Sequence, residues 1–261
     1  MPSLYKREGL GEMENPHMQI IQSSLFQKFP EIIFGLSTKN GLNRTEPFYF
    51  NMSLTVGDDP EIVRTNREAF YNELGLTTEQ IAIQKQIHSD IVTIIGEPGP
   101  VGESDAMITT QKGIGLAIST ADCTPIFIYD RTNGIIAAVH SGWRGTEKQI
   151  LRKTILILTE QFNCSPSNLL VYIGPSICQK NYEVGDEVAK HFHRTYLKSI
   201  NHKHYLDVLG VNKDVLLNLG IRDTHIEISS LCSYEEKYLQ SYRRDGKNSG
   251  RALGVIAMKG K

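Results

Sequence analysis

Apolar residues recur along this chain with two different spacings, which predict a mixture of helices and strands. Helical spacing is clearest over 60–74 and 147–162 and weaker over 186–197 and 212–219. Apolar runs of strand length cover 81–88, 91–95, 114–119, 124–129, 135–140, 169–173 and 226–229. Because these elements alternate without a regular βαβ repeat, we expect an α+β fold in a single domain of residues 1–261.

Residue types at helix ends support these predictions. Asp59 is the expected N-cap of the helix over 60–74. The run 146–149 has the pattern of a capping box that would start the helix at 147. Asn212 is expected just before the last of the four helices.

Residues 124–140 predict a β-hairpin, with an Asn-Gly dipeptide supplying the turn. With a four-residue loop, the numbers of paired residues sum to about 265, so His140 faces Pro125. Cys123 lies two residues before Pro125 and therefore shares a face with His140, at the diagonal spacing of roughly 7–8 Å between Cα atoms. One zinc ion can reach both side chains, whereas a register slip of one residue would place them on opposite faces.

Composition and charge exclude several classes of function. The formal net charge of −1 gives no bulk attraction to nucleic acid or to an anionic membrane. No apolar run approaches the roughly 20 residues of a membrane span, and no signal-peptide pattern is present, so we expect a cytoplasmic protein. The four cysteines form no CxxC pair, and Cys164 and Cys232 are interpreted as inert fillers.

Short motifs rich in His, Cys, Arg and Gly are spread along the chain. Three of them carry residues of metal-ligand type: Gln86-Ile-His88-Ser, Ala121-Asp-Cys123-Thr-Pro and Ala138-Val-His140-Ser-Gly-Trp-Arg-Gly145. The others are Gly57-Asp-Asp-Pro60, Asn66-Arg67, Gly174-Pro-Ser-Ile, Tyr182-Glu-Val-Gly185, Ser241-Tyr-Arg-Arg-Asp245 and Ser249-Gly-Arg251. Taken in their order along the chain, over about 34–258, they resemble the YfiH-like family, the laccase-domain-containing purine nucleoside phosphorylases. The chain departs from the family pattern at Thr38–Asn43, Ser141 and Lys247-Asn248.

The resemblance implies a zinc site formed by His88, Cys123 and His140, with copper as the alternative ion. It also implies a layered α/β/β/α domain like that of the cytotoxic necrotizing factor toxins. Three protein ligands leave the fourth tetrahedral position open for water or substrate, which is typical of a catalytic site. Asp90 and Asp122 are the candidate partners for the N–H groups of the imidazoles.

Arginines and the single tryptophan are the candidate binding residues. The candidates for holding phosphate or ribose are Arg67, Arg144, Arg243 and Arg251. Arg144 is the strongest, because it follows His140 by four residues and precedes the predicted helix start, which could bind an anion. It is assigned a catalytic role together with Cys123, His140 and Asp122. Trp143 is either a stacking surface for a purine or a core residue.

The resemblance implies phosphorolysis of adenosine, inosine and S-methyl-5′-thioadenosine, with adenosine deamination as a second activity. The partners would be a purine nucleoside and phosphate, without nucleic acid or membrane, and the chain would be a monomer or homodimer.

Three alternatives stay open: a copper polyphenol oxidase, a hydrolase with Cys123 as nucleophile and His140 as base, and a metal-storage module. Multicopper chemistry needs more imidazoles than the eight histidines here supply. Only His191 with His193 and His202 with His204 form HxH pairs.

Overall fold

A computed structural model describes residues 18–260 of the chain. The strands are β1 (Ile20–Ile21), β2 (Ile32–Ser37), β3 (Ile81–Lys85), β4 (Val92–Ile94), β5 (Gly99–Glu103), β6 (Ala106–Thr109), β7 (Gly115–Thr120), β8 (Thr124–Asp130), β9 (Ile135–Ser141), β10 (Leu169–Ile173), β11 (Glu183–Val184), β12 (Leu197–Ile200), β13 (Lys203–Leu206), β14 (Ile226–Ile228) and β15 (Ala252–Met258). The α-helices are α1 (Pro60–Glu73), α2 (Trp143–Glu147), α3 (Ile150–Phe162), α4 (Asp186–Ala189), α5 (Val208–Asn218) and α6 (Tyr242–Asp245). None of the helices in the described range has the length and apolar character that crossing a bilayer requires.

Two six-stranded sheets form the centre of the fold. The first has the strand order β1-β2-β15-β7-β3-β5, and the second has the order β14-β10-β8-β9-β6-β4. A further three-stranded sheet has the order β11-β13-β12. Antiparallel pairs are mixed with parallel ones, since β3 pairs parallel with β5 and β7, β4 with β6, and β10 with β14.

Both faces of each sheet are covered by apolar side chains. On β9, Ile136 packs between the two sheets, whereas the next residue, Ala137, packs against α3 and α5. On β15, Ile256 packs between the sheets and Val255 packs against α1. This two-sided burial explains why the central strands are continuous apolar runs rather than alternating ones. The layers are α1, first sheet, second sheet, and α3 with α5, which confirms the expected α/β/β/α arrangement.

The two strongest helix predictions have different outcomes. The Asp59 carboxylate caps α1 as predicted by accepting a hydrogen bond of 2.8 Å from the backbone N–H of Glu61. The predicted capping box over 146–149 is wrong. Gln149 has a left-handed backbone conformation (φ 62°), which divides the segment into α2 and α3.

The two weaker helix predictions are confirmed only in part. The segment 186–197 contains only the short α4 and a single 3₁₀ turn. The last of the four predicted helices, α5, begins earlier than predicted because the Asp207 carboxylate caps it, accepting a hydrogen bond of 2.8 Å from the N–H of Gly210. Asn212 therefore lies inside α5, buried, with its amide donating to the Val208 carbonyl.

Strands β8 and β9 form the predicted hairpin in the predicted register. Pro125 lies opposite His140, and the ladder continues without a bulge to the turn. In the turn, the Asp130 carboxylate accepts a hydrogen bond of 2.8 Å from the N–H of Thr132, which fixes the loop length on which the register depends. The hairpin therefore brings Cys123, the residue just before β8, to the side of His140.

Candidate metal centre and its pocket

Three side chains from separate segments meet at one point. Cys123 lies just before β8, His140 lies near the end of β9, and His88 lies in the loop between β3 and β4. One ligand atom from each lies within 4.8 Å of the other two, and the two imidazole centroids are 4.9 Å apart. The structure thus brings together all three residues of the predicted ligand set.

His88 is placed by a loop that wraps around a buried carboxylate. Strand β3 ends at Lys85, so His88 lies in a loop and not at the end of a strand over 81–88 as predicted. Its backbone has a positive φ of 57°, and its N–H donates to Asp105 Oδ1 at 3.1 Å. The N–H and hydroxyl of Ser89 donate to Asp105 Oδ2 at 2.5 and 2.7 Å. Asp105 therefore stabilises a backbone conformation that is unfavourable for histidine by itself.

Asp105 also orients the second imidazole. Its Oδ1 lies 2.8 Å from Nδ1 of His140, and its side chain is fully buried. The contact arises because β6 pairs with β9, with Ala106 opposite Val139. Since Nδ1 is engaged by Asp105, Nε2 is the His140 nitrogen left for Cys123 and for a metal ion. Sequence reasoning missed Asp105, and its only sequence signal is a carboxylate directly before an apolar strand.

The predicted imidazole partners, Asp90 and Asp122, bond to other groups. Asp90 forms an ion pair with Lys153 on α3. Asp122 accepts hydrogen bonds from the hydroxyl of Ser233 at 2.6 Å and from the N–H of Arg243 at 2.7 Å. The predicted role of these aspartates is therefore wrong for His140, and Asp122 instead ties the turn before β8 to the segment that leads into α6.

The charges of the cluster favour a thiolate on Cys123. Burial raises the pKa of Cys123, but the positive charge of His140 and hydrogen bonds from His140 and His88 bring that pKa down to about 6. Burial lowers the pKa of His140, but the charge of Cys123 and the hydrogen bond to Asp105 raise it to about 9. A thiolate beside two imidazoles is a donor set that suits zinc and also copper.

Gly142 leaves the space that an ion among these ligands needs. A Cβ atom at this position would lie 2.9 Å from both Cys123 Sγ and His88 Nδ1. Any side chain there would therefore fill the gap between two of the three donors. The donor set and this space together fit a tetrahedral ion with one position left open.

A small cavity of about 30 Å³, open to solvent, lies beside the ligands. Its lining is mainly apolar and aromatic, and it consists of Asp122, Cys123, Thr124, Ser141, Gly142, Trp143, Ile177, Tyr182 and Val208. Trp143 is half-buried and lines this cavity while also packing against a small apolar cluster around Leu206, so it is partly a core residue, and its role in stacking on a purine stays a prediction.

Two of the candidate arginines stack on aromatic walls of this pocket. The guanidinium carbon of Arg144 lies 4.3 Å from the Trp143 ring centroid, and that of Arg243 lies 5.2 Å from the Tyr182 ring centroid. Burial and the negative charge of Cys123 raise the pKa of Tyr182, while the two arginines act in the opposite direction. Arg144 is the second residue of α2, and not a residue before the helix as predicted.

The other two arginines are joined through one backbone segment. Burial lowers the pKa of Arg251, while the negative charges of Cys123 and Asp122 act to raise it. Arg251 therefore interacts electrostatically with residues of the candidate metal centre. Arg67 instead donates from Nε to the Met52 carbonyl at 2.7 Å. The N–H of Met52 in turn donates to the Arg251 carbonyl at 3.0 Å. Arg67 thus contacts the segment beside Arg251 rather than the three ligands.

The HxH pairs do not form a further metal cluster. Among residues 18–260, His, Cys, Asp and Glu side chains come close enough to share an ion in two groups, the ligand set and Cys178 with Cys232 and Glu235. His193 bonds to the hydroxyl of Thr195 at 2.7 Å instead. The described part of the chain therefore lacks the histidine clusters that a multicopper centre requires.

Comparisons with known proteins find relatives over most of the chain. Residues 33–259 match the family model described as multi-copper polyphenol oxidoreductase laccase. A purine nucleoside phosphorylase of Bacteroides thetaiotaomicron is 34% identical over 226 residues, which cover 79% of this chain and 84% of that protein. Adenosine deaminase RL5, from an unknown prokaryotic organism, is 31% identical over 255 residues, which cover 90% of this chain and 97% of that protein.

Solved structures share the fold. YlmD from Geobacillus stearothermophilus superposes with a TM-score of 0.86 at 28% identity, covering 99% of this chain and all of that one (100%). YfiH from Bacillus licheniformis also gives a TM-score of 0.86, at 26% identity, covering 95% of this chain and 98% of that one.

Proposed function

This chain belongs to the laccase-domain family of the YfiH and YlmD proteins, and we propose that it is a zinc-dependent purine nucleoside phosphorylase. The observation that carries the proposal is the meeting of His88, Cys123 and His140 at the edge of a pocket with aromatic walls and arginines. The names of the relatives support the class of reaction, and the open position of the ligand set supports catalysis rather than metal storage.

The proposed substrates are adenosine, inosine and S-methyl-5′-thioadenosine. Phosphorolysis would release the free base together with ribose 1-phosphate or methylthioribose 1-phosphate. Deamination of adenosine is the proposed second activity, supported by the name of the relative RL5. Phosphorolysis breaks the bond at C1′, whereas deamination attacks C6 of the purine, so the two reactions require two poses of the nucleoside in the pocket.

The metal would be held by His88, Cys123 and His140. When bound there, zinc supplies Lewis acidity for polarising a substrate atom or acidifying a water molecule. Asp105 fixes the His140 ring with Nε2 towards the site and keeps the His88 loop closed, so both imidazoles are oriented before a metal arrives.

The substrate would be held by the pocket walls. Trp143 and Tyr182 offer flat surfaces against which a purine can stack. Arg144, Arg243 and Arg251 supply positive charge for phosphate, which guanidinium groups bind through paired hydrogen bonds.

Asp122 and Arg67 have supporting roles in this proposal. The Asp122 carboxylate holds the backbone of Arg243, and Arg67 holds the segment that contacts Arg251. We expect the protein to act as a monomer or homodimer without nucleic acid or membrane partners, and its cytoplasmic location stays a prediction.

The proposal is tested on metal-free protein to which zinc or copper is restored separately. Adenosine is then supplied with and without phosphate, and adenine, inosine and ribose 1-phosphate are measured. We expect release of adenine that depends on both phosphate and zinc and that is lost in His88→Ala. Release of adenine without phosphate would contradict phosphorolysis.

A copper-dependent polyphenol oxidase is the second candidate, because the matching family model carries that description. A single copper at the same three ligands would be its centre. Oxidation of a phenolic substrate by the copper-restored protein, with no phosphorolysis in the zinc-restored protein, would favour it.

A metal-free cysteine hydrolase is the third candidate, favoured by the Cys123 pKa of about 6 beside His140. Full activity of the chelated protein would favour this candidate. Loss of activity on chelation, with recovery on adding zinc, would exclude it.

A further inference from the structure

A second pair of sulfur atoms lies near the pocket. Cys178 and Cys232 are 54 positions apart in the chain, yet their Sγ atoms are 2.7 Å apart. A disulfide bond measures about 2.05 Å, so a relative movement of less than about 1 Å would join the two sulfurs. Both thiols are free in this structure.

The backbone holds this pair in position. Ser176 and Cys232 form an isolated parallel bridge, and the N–H of Ser233 donates to the Ser176 carbonyl at 3.0 Å. The N–H of Cys178 donates to Cys232 Sγ at 3.2 Å. Two segments that carry the cysteines are therefore already fixed side by side.

The surroundings of the pair suit a dithiol better than a metal ion. Glu235 is the third group within reach, but its Oε1 already lies 2.7 Å from Lys180 Nζ and accepts from the Asn181 amide at 2.8 Å. The same amide donates to Cys178 Sγ at 3.1 Å. A cation here would have to displace the amide and lie close to a lysine. Burial raises the pKa of Cys178. Burial also acts to raise the pKa of Cys232, but hydrogen bonds from Cys178 bring that pKa below its usual value, which favours a thiolate, the reactive form in disulfide exchange, on Cys232.

The pair is connected to the turn that carries Cys123. Ile177, next to Cys178, donates its N–H to the Asp122 carbonyl at 3.0 Å and lines the cavity. Ser233, next to Cys232, donates its hydroxyl to the Asp122 carboxylate at 2.6 Å. Both cysteines therefore adjoin a residue that holds Asp122.

We propose that Cys178 and Cys232 form a reversible disulfide. The bond would link the two segments that contact Asp122 through Ile177 and Ser233. The proposed oxidant is a low-molecular-weight disulfide. Cys178, the more exposed of the two, gives its proton to the neighbouring Cys232 thiolate and attacks one sulfur of the oxidant, releasing the first small thiol, which takes a proton from solvent. Cys232 then loses its proton and attacks the Cys178 sulfur, which releases the second small thiol. The two cysteines together lose two electrons and two protons, and the oxidant becomes two thiols.

Disulfide formation is expected to stabilise the protein and to leave the pocket intact. The bond would close a long loop, which restricts the unfolded chain, while the sulfurs move by less than about 1 Å. This holds whichever reaction the pocket catalyses. In this proposal Cys232 takes part in thiol chemistry, whereas the sequence was interpreted as giving it the role of an inert filler.

The test uses the zinc-loaded protein incubated with oxidised glutathione. Peptide mapping without reduction is expected to find Cys178 linked to Cys232, and the melting temperature is expected to rise by roughly 5 °C or more. Reduction with dithiothreitol should reverse both changes. Cys178→Ala should lose them, whereas Cys164→Ala, which removes a buried thiol elsewhere, should keep them.

The peptide map of the unmutated protein decides the matter even if a variant fails to fold. The proposal is overturned if the two cysteines stay free, or carry separate glutathione groups, in an excess of oxidised glutathione. It is also overturned if the reduced protein binds a second equivalent of zinc that Cys178→Ala loses, because the cluster would then be a metal site.

Discussion

Two clusters with thiols lie near the same pocket, and the groups around the sulfurs differ. Around Cys123 are two imidazoles, one of them fixed by the buried carboxylate of Asp105. Around Cys178 and Cys232 are N–H donors and a glutamate that is already paired with Lys180. In both clusters, three atoms of metal-ligand type lie close together.

The difference shows that the hydrogen-bond partners of a thiol or imidazole decide whether a cluster favours metal binding or thiol exchange. At Cys123 the neighbouring nitrogens can offer lone pairs to an ion, because Asp105 takes the proton-bearing side of His140. At Cys178 and Cys232 the neighbours donate hydrogens to sulfur, and the nearby Glu235 carboxylate is already paired with Lys180. The first arrangement favours metal binding and the second favours thiol exchange. Four substitutions test this comparison, from the largest expected effect to the smallest.

Cys123→Ala should remove the metal and the activity together. The variant loses the only thiolate of the ligand set, so we expect phosphorolysis to fall by more than about 100-fold, beyond the effect typical of an outer partner. Bound zinc by elemental analysis and adenine release are the measurements. Cys164→Ala is the matched control and should retain both, and a zinc-bound Cys123→Ala of full activity would contradict the assignment.

Gly142→Ala should weaken the site by crowding. The added methyl group would lie 2.9 Å from two donor atoms, and displacement of ligands by about 1 Å can lower a rate on the order of 100-fold. Zinc affinity and kcat/KM are the measurements. Gly96→Ala serves as control, because a Cβ atom there meets nothing within 4 Å. Equal zinc affinity in both variants would show that Gly142 does not border the ion.

Asp105→Asn should lower zinc affinity by about 10- to 100-fold, the range typical for the partner of a ligating imidazole. The reason is that His140 and the His88 loop both depend on this carboxylate. Competition with a chromogenic chelator measures the affinity. Asp90→Asn is the control, since Asp90 contacts Lys153 on the surface, and an equal effect of both substitutions would refute the role of Asp105.

Glu235→Gln should leave zinc content and activity unchanged within error. Glu235 completes the second cluster geometrically, but its carboxylate is paired with Lys180. We also expect the glutathione-induced link between Cys178 and Cys232 to form in this variant. Loss of zinc from Glu235→Gln would show that the second cluster also binds metal and would contradict the comparison.

Local sequence patterns predicted two central strands and half of the site. Continuous apolar runs predicted β8 and β9, and the structure buries both faces of these strands. The equally apolar β15 was not predicted, and the layered order of the domain came from the family resemblance. The Asn-Gly turn fixed the hairpin register, and the register placed Cys123 beside His140. Both deductions rest on spacing within a short stretch, where backbone geometry leaves few alternatives.

Only the tertiary structure decided the remaining contacts. His88 and Asp105 reach His140 because β6 pairs with β9, and Cys178 meets Cys232 across 54 positions. The motif resemblance named His88, but neither Asp105 nor the cysteine pair has a spacing that reveals its partner. The break at Gln149 was likewise hidden, because a left-handed residue between two helices leaves the apolar period intact. The spacing of apolar residues predicts which face of its element a residue occupies. Which distant residue it contacts is determined by the order of the strands in the sheet.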